Sequence, residues 1–491
     1  MEAWKARLVR SWPCVASAAL VLLAFPPFNL GLLVFVALVP WLISLRQTNG
    51  RQAWKSGYFF GLLMGLGQLY MLGTLAYNWT GSVLVGLLPW LLASFAYGVY
   101  FGLTGVLISK CFARGWFWLI PIVWAGVEVF RSYIPVFAFP WGILATPLWP
   151  LTPVVQSAHY GMIFLVSAWA VTANLAIAML MEGEGYRRVR PLFWAFGLVT
   201  LLSIYRYSQP ETGKKFTVTA GQPGVDLAFG PAKTRNEDLR ATIQPILDKA
   251  DKDGTQLVVL PEGIADARRM PPTTPFVPGK APLLVGAPRG FEPTYQSALG
   301  YERGWKFVDK TRLVIFGEFV PGRDRFPFIA AALKLPTGDM SAGTEGTKSM
   351  KIAGITVGPV ICFEGLFPDI AYRQALNGSQ LLAVISIDDW YLGTMAPDQL
   401  RALSIWRAIE TGLPLVRSAS LGYTLITDGK GRVLAQAPVK EARSLHEELI
   451  LPERSPMSPA AAAFPVGALA IAIVMLLIPR QRRGGRELQA G

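Results

Sequence analysis

The chain has 491 residues, 52% of them apolar and only 16% charged, where a water-soluble domain carries about 25% charged residues. That composition excludes a disordered chain, a fibrous chain and an ordinary soluble enzyme, and fits a polytopic membrane protein with a soluble part attached. The net charge of +14 would suit a nucleic-acid surface, so where the charge sits decides its meaning.

In chain order, eight apolar stretches have roughly the length needed to cross ~30 Å of hydrocarbon. They run near residues 11–25, 28–45, 56–78, 82–109, 115–130, 160–181, 191–205 and 462–479. The first has the basic start of a signal peptide. However, Pro26-Pro27 and the second stretch follow at once with no small-residue cleavage pattern, so it reads as a retained span. Basic residues fall in five groups: Lys5, Arg7, Arg10; Arg46, Arg51, Lys55; Lys110, Arg114; Arg187, Arg188, Arg190; and Arg480, Arg482, Arg483, Arg486. Alternation of eight spans puts all five groups on one face. The short loops of the other face carry none, except for Arg131 at the end of the fifth stretch. The positive-inside rule makes that face, and both termini, cytoplasmic.

The segment 211–455 lies before the last span and is therefore expected outside. Residues 211–450 hold 28 basic and 26 acidic residues. Almost all of the net charge thus belongs to the membrane flanks, where it reports topology and contact with anionic lipid, with no nucleic-acid partner implied. The segment is long enough for one sizeable domain. Short β-rich runs occur at 215–220, 256–260, 283–286, 355–361, 381–387, 414–418, 423–427 and 432–436, with helical periodicity at 236–250 and 397–411. Asp428-Gly429-Lys430-Gly431 reads as a hairpin turn. The pattern predicts an α+β or α/β layered sandwich. The expected domains are 1–210, with seven spans; 211–455, extracytoplasmic; and 456–491, with the eighth span and a cytoplasmic tail. Residues 326–336 are unusually apolar for a surface connection. They read either as an arm that dips Phe326, Phe328 and Ile329 into the membrane interface or as a loop packed on the domain.

Three cysteines are present. Cys14 and Cys111 lie in or beside spans and read as small hydrophobes. Cys362 is alone in the outer segment, where it has no cysteine to pair with. It follows the apolar run 355–361 and precedes Phe363-Glu364-Gly365-Leu366-Phe367-Pro368, which reads as strand, sharp turn, then helix. Such an elbow exposes a thiol at the sheet edge, near a helix N-terminus that favours the thiolate. The chain has two histidines, His159 at a membrane entrance and His446 in an acidic stretch, neither within a motif. Sites built on His and Cys ligands are excluded by number, so no metal is expected. The thiol's partner must then be a carboxylate or a lysine. Glu262 ends the strand in Leu-Pro-Glu-Gly, at a sheet edge where sites collect. Lys310 follows the alternating run 305–309 and precedes Thr-Arg-Leu-Val-Ile-Phe-Gly-Glu-Phe-Val-Pro. Each alone also suits an ordinary solvated surface residue.

Together the three segments resemble the Glu–Lys–Cys constellation of the nitrilase superfamily. With eight spans around such a domain, the whole chain resembles the apolipoprotein N-acyltransferase family. Further points of likeness are Ala24-Phe25-Pro26-Pro27-Phe28, Phe139-Pro140-Trp141-Gly142 and Arg407-Ala408-x-Glu410-x-Gly412-x-Pro414. The resemblance implies a polytopic α-helical membrane domain of eight helices plus a nitrilase-like αββα sandwich. It implies Glu262 as general base, Cys362 as a nucleophile that forms a thioester, and Lys310 with a backbone N–H after Cys362 as oxyanion holder. Glu318 and Glu364 match supporting acidic positions that orient Lys310 and Glu262, with Phe363 beside the thiol. The sequence departs from the family pattern at Ile387 for Asn, Ile315 for Pro, Phe363 for Tyr and Phe229 for Trp.

The implied reaction takes an acyl chain from a phospholipid onto Cys362. It then passes the chain to the α-amine of a diacylglyceryl-cysteine at a lipoprotein's first residue, with no cofactor. The expected enzyme is a monomer in the inner membrane with its catalytic domain on the periplasmic side. Two other readings share these residues: a membrane-anchored amidase acting on a small amide, and a non-catalytic lipoprotein-binding paralogue.

Overall fold

The computed structural model describes residues 2–135, 137–323, 325 and 338–479. The apolar segment 326–336, with Phe326, Phe328 and Ile329, lies outside the described residues.

Helices occupy the amino-terminal part: α1 (Glu2–Ala24), α2 (Val39–Leu45), α3 (Gly50–Gln68), α4 (Tyr70–Thr80), α5 (Val83–Arg114), α6 (Ile120–Tyr133), α7 (Ala158–Met181) and α8 (Tyr186–Ser208). Among the described residues, three helical segments are long and apolar enough to cross a membrane: Val83–Arg114, Ala158–Met181 and Pro459–Leu477. The pair α3 and α4 adds a fourth if taken as one bent span. The other stretches read as spans are helical but shorter or more polar; α6 has only 14 residues, and α8 opens with Arg187, Arg188 and Arg190.

The expected continuous span 56–78 is broken, with α3 and α4 meeting at 44°. The asparagine and glutamine of Asn49–Gln52 start α3 with a reciprocal capping box. Its far end loses regular pairing because indole N–H groups take the carbonyls there: Trp90 donates to Leu66 O at 3.1 Å and Trp141 to Gln68 O at 3.1 Å. A second break lies in α7, where Gly161 and Met162 leave helical geometry and Met162 has φ 57°. Arg131, the basic residue on the otherwise uncharged face, is buried. Its guanidinium donates to the carbonyls of Trp141 and Gly142 and to the Tyr97 hydroxyl.

Residues 214–451 form two six-stranded mixed sheets. The first has the order β12-β1-β2-β3-β4-β5, built from β1 (Lys214–Gln222), β2 (Leu257–Val259), β3 (Leu283–Arg289), β4 (Tyr295–Tyr301), β5 (Trp305–Asp309) and β12 (Arg443–Leu451). The second has the order β11-β10-β9-β8-β7-β6, built from β6 (Met350–Ile352), β7 (Ile355–Ile361), β8 (Leu381–Ser386), β9 (Leu415–Ala419), β10 (Leu425–Thr427) and β11 (Val433–Gln436). The central strands β1-β2-β3 and β7-β8-β9 are parallel, and the flanking pairs are antiparallel.

Period-two alternation explains the layering. Leu257, Val259, Leu284, Val357, Ile361, Leu381, Ala383 and Ile385 pack between the sheets. Val258, Leu260, Leu283 and Val285 face the other way, under helix α9 (Arg235–Lys252). Val360, Leu382 and Val384 face α10 (Pro368–Leu376) and α11 (Ala396–Thr411), in a cluster that continues into the amino-terminal helices. The second sheet thus sits on the helical region through one shared core.

Both chain connections to the sandwich are tied down. Lys430 donates from Nζ to Tyr207 O and Gln209 O at the end of α8. The Tyr372 hydroxyl donates to Pro459 O at 2.9 Å, just before the last helix, α12 (Ala463–Leu477). Lys110 of α5 closes the far end of α12 by donating to the carbonyls of Met475, Leu476 and Ile478.

Candidate active site

Glu262 follows β2, Cys362 follows β7 and Lys310 follows β5. The first two stand at the carboxyl ends of parallel central strands, one in each sheet, so the facing sheets bring them together. Glu262 is 4% exposed, and the Cys362 thiol and the Gln296 side chain lie near enough to its carboxyl to favour its charged form. Gly286 of β3 makes room for it. A Cβ there would lie 2.6 Å from the Glu262 Cα, while the two segments exchange Gly263 N–H to Gly286 O and Gly286 N–H to Pro261 O.

Lys310 is fully buried. Its Nζ donates to Glu318 Oε1 at 2.6 Å, and Glu318 Oε2 accepts the Val314 N–H at 2.8 Å. The backbone before it is held in turn. Asp309 takes a two-pronged contact from Arg289 and a hydroxyl from Ser297, and the Lys310 N–H donates to Gln296 O. The short run Leu-Val-Ile-Phe-Gly-Glu therefore loops back to place Glu318 against Lys310.

Cys362 adopts φ 50°, in the left-handed region, and opens the 3₁₀ turn Cys362–Leu366 that leads into α10. The elbow lies where the sequence predicts it, but the thiol is half-buried and not open at the sheet edge. It also does not favour its thiolate. Burial pushes the thiol up to about 12, the Glu262 carboxylate adds to this, and Lys310 only partly offsets it. Burial likewise raises Glu262 to about 7, countered by Lys310 and reinforced by Glu318. For Lys310, burial acts to lower the ammonium, but Glu318 and Glu262 outweigh it and leave the pKa raised. At neutral pH the site therefore holds a thiol, a carboxyl near its midpoint and a fixed ammonium. Such an arrangement can deprotonate the thiol as it attacks and hold negative charge beside it.

Glu364 differs from its expected role. It makes no hydrogen bond to Glu262; its Oε1 accepts the N–H and hydroxyl of Thr311 and the Arg312 N–H, and its Oε2 accepts the Ile361 N–H. It ties the segment after Lys310 to the end of the strand that carries Cys362. Phe363 stacks on Phe139 at 6.2 Å and meets Phe367 edge-on at 5.2 Å, joining the Phe-Pro-Trp-Gly segment to the elbow. Ile387 packs against Gly263 behind Glu262. Phe229 sets its ring against Trp390, which reaches Trp79 of α4.

Sequence reasoning missed two neighbours: Gln296, beside Glu262, and Ser386, which lies near the Cys362 thiol and donates its hydroxyl to Asp388 at 2.8 Å. Ser386 ends β8, the strand next to β7, and its strand-end position was the available signal. The histidines lie elsewhere. His159 faces the Glu410 carbonyl at 2.9 Å at the junction with the helices, and His446 lies within β12 beside Thr219 and Thr255.

A cavity of about 540 Å³ opens beside the site. Tyr133, Ile134, Pro135 and Ala138 of the helical region line one side, and residues 311–313, 315, 319–323, 340–342, Phe363 and Phe367 contribute the rest. Thr311 and Phe363 are the immediate chain neighbours of Lys310 and Cys362, so the cavity lies against the segments that carry them. Its volume is in the range of small-molecule sites, about 300–1,000 Å³.

A thiol, a carboxyl and a lysine thus stand at strand ends between two mixed sheets. Residues 304–450 match the carbon-nitrogen hydrolase family, and residues 17–176 match the apolipoprotein N-acyltransferase N-terminal domain. An apolipoprotein N-acyltransferase of Geobacter metallireducens is 29% identical, covering 89% of each chain. One of Gloeobacter violaceus is 31% identical, covering 84% of this chain and 82% of its own. Among solved structures, a carbon-nitrogen hydrolase from Helicobacter pylori G27 aligns at 15% identity and TM-score 0.37, over 48% of this chain and 89% of its own. The chain belongs to the apolipoprotein N-acyltransferase family.

Proposed function

We propose that this protein moves an acyl chain from a membrane phospholipid, through a thioester on Cys362, to the α-amine of a diacylglyceryl-cysteine at the start of a lipoprotein. The observation that carries the reading is the convergence of Glu262, Lys310 and Cys362 at strand ends of two facing sheets, with the buried Lys310 ammonium fixed by Glu318. In the first half-reaction the sulfur attacks the ester carbonyl and its proton passes to Glu262. Lys310 and the backbone N–H after Cys362 hold the oxyanion. The C–O bond breaks, Glu262 returns the proton to the leaving alkoxide, and a lysophospholipid departs. In the second, the amine attacks the thioester, Glu262 takes its proton, and the sulfur leaves and is reprotonated. Glu318 fixes Lys310, and Glu364 fixes the elbow. The chemistry calls for no metal or cofactor.

We place the domain boundaries at 210/211 and 455/456, with eight spans, both termini in the cytoplasm and the sandwich on the periplasmic face of the inner membrane, working as a monomer. Support comes from the one-sided basic groups and from helices at each of the eight stretches. Acyl chains cost about 0.8 kcal/mol per CH₂ to withdraw from lipid, which favours a site resting on the bilayer. The test is intact mass after incubation with phospholipid. An acyl adduct on Cys362, absent from Cys362→Ala and discharged by a diacylated lipopeptide, supports the reading. Release of free fatty acid alone would point to a hydrolase, and no adduct would point to a binding protein.

A further inference from the structure

The cavity beside the elbow is apolar along most of its wall, with Ile134, Ala138, Leu313, Phe319, Phe363 and Phe367 among its residues. Its charged lining residues, among those described, are two arginines, Arg312 and Arg323, with no carboxylate facing them from the wall. Arg323 is paired with Asp339. Arg312 is held but not satisfied. Its guanidinium lies 4.0 Å over the Phe367 ring, with Tyr133 at 5.7 Å, and its Nη2 donates to Asp369 at 3.1 Å. Its Nη1 is buried and has no hydrogen-bond partner among the described residues. A buried donor without an acceptor is uncommon, because its desolvation goes uncompensated. Stacking and pairing fix the plane of the fork, and the side chain keeps 28% of its surface exposed where it lines the cavity.

We propose that Arg312 binds the phosphodiester of the lipid acyl donor. This deepens the reading given under Proposed function and rests on it. An apolar cavity with one oriented guanidinium suits a ligand that is both greasy and anionic. A phosphate oxygen is the acceptor that matches a charged N–H best. Arg312 is two residues beyond Lys310, and the Arg312 N–H shares Glu364 Oε1 with the Thr311 N–H. A phosphate held there therefore registers the donor's ester against Lys310 and Cys362. The proposed acceptor is different in kind: a diacylglyceryl thioether carries no phosphate. Arg312 thus tells donor from acceptor by charge and acts as a specificity residue in the first half-reaction.

The test uses the full-length protein in detergent micelles and follows adduct formation on Cys362 by intact mass. The donors are phosphatidylethanolamine, phosphatidylglycerol and diacylglycerol with identical chains. In Arg312→Gln, the rate with either phospholipid divided by the rate with diacylglycerol is expected to fall about tenfold to a hundredfold, the loss of one charge-assisted hydrogen bond. Arg312→Lys keeps the charge without the fork and should fall between, and it carries the test if the glutamine variant does not fold. Equal losses with all three donors would show a packing role under Phe367 and overturn the proposal, as would an unchanged ratio. Inhibition of the wild type by inorganic phosphate at lipid-equivalent concentration would assign the prong to free phosphate and also overturn it. A wild type that forms no adduct with any donor would instead overturn the acyltransfer reading itself.

Discussion

Two buried carboxyls, Glu262 and Glu410, share a pKa of about 7 but differ in their partners. Both are raised chiefly by burial, with exposures of 4% and 2%. Glu410 is enclosed: Arg407 approaches at 3.0 Å and the Ile163 N–H donates at 2.8 Å. It thereby caps the helical run that restarts after the break in α7, while Arg407 reaches the Leu366 carbonyl beyond the elbow. Glu262 instead faces a thiol that can give it a proton. A displaced pKa therefore locates burial, and the partner decides whether the group is a reagent or a fastening.

Substitutions should separate the two, starting with the nucleophile they are judged against. Cys362→Ala should lower acyl transfer by on the order of 10³-fold or more and abolish the adduct by intact mass. Glu262→Gln should cost about 10²–10⁴-fold in adduct formation, with the fold intact. In the wild type, the rate should rise with pH through about 7 as Glu262 ionises, and this inflection should vanish in the variant. Glu262 holds its proton in the folded state up to about 7 and releases it near 4.5 in the unfolded chain. It therefore subtracts stability as pH rises across that window, by on the order of 3 kcal/mol in full. Glu262→Gln should then melt no lower than the wild type at pH 8, and a lower melting point would break the comparison.

Glu410→Gln should do the opposite, because it leaves Arg407 buried without its countercharge. A loss of about 3–5 kcal/mol is expected, read by thermal unfolding in detergent, with adduct formation surviving at low temperature. Gly286→Ala, which forces a methyl against Glu262 Cα, should slow adduct formation by roughly 10²-fold, since small misplacements at a reacting centre are costly. Phe139→Ala should be mildest, with about 1 kcal/mol lost from the ring stack on Phe363 and measured as a small fall in melting temperature.

The central strands were legible because parallel strands covered on both faces read as unbroken apolar runs, as in 355–361 and 381–386. The same runs marked Glu262 and Cys362 by their ends. The strands missed were flanking ones. Tyr295–Tyr301 and Met350–Ile352 are short or mixed, and Arg443–Leu451 carries Glu447 and Glu448 on the sheet's outer strand, so it read as an acidic stretch. The breaks near residues 69 and 161 were invisible for a different reason. Their causes, the indoles of Trp90 and Trp141 and the carboxylate of Glu410, come from distant parts of the chain. Glu364 was found by position and misassigned in role, because its partners are backbone N–H groups that no motif displays.

Lys430 and Tyr372 fasten the sandwich to the chain on both its approaches, and α12 is clamped by Lys110 at its other end. The catalytic body is accordingly a fixed station and not a swinging arm. On the proposed reading, every molecule handled must glide in the plane of the bilayer to one stationary opening and glide away again. Throughput should then track the fluidity of the surrounding lipid, slowing in gel-phase vesicles even where the chemistry on the sulfur is unaltered.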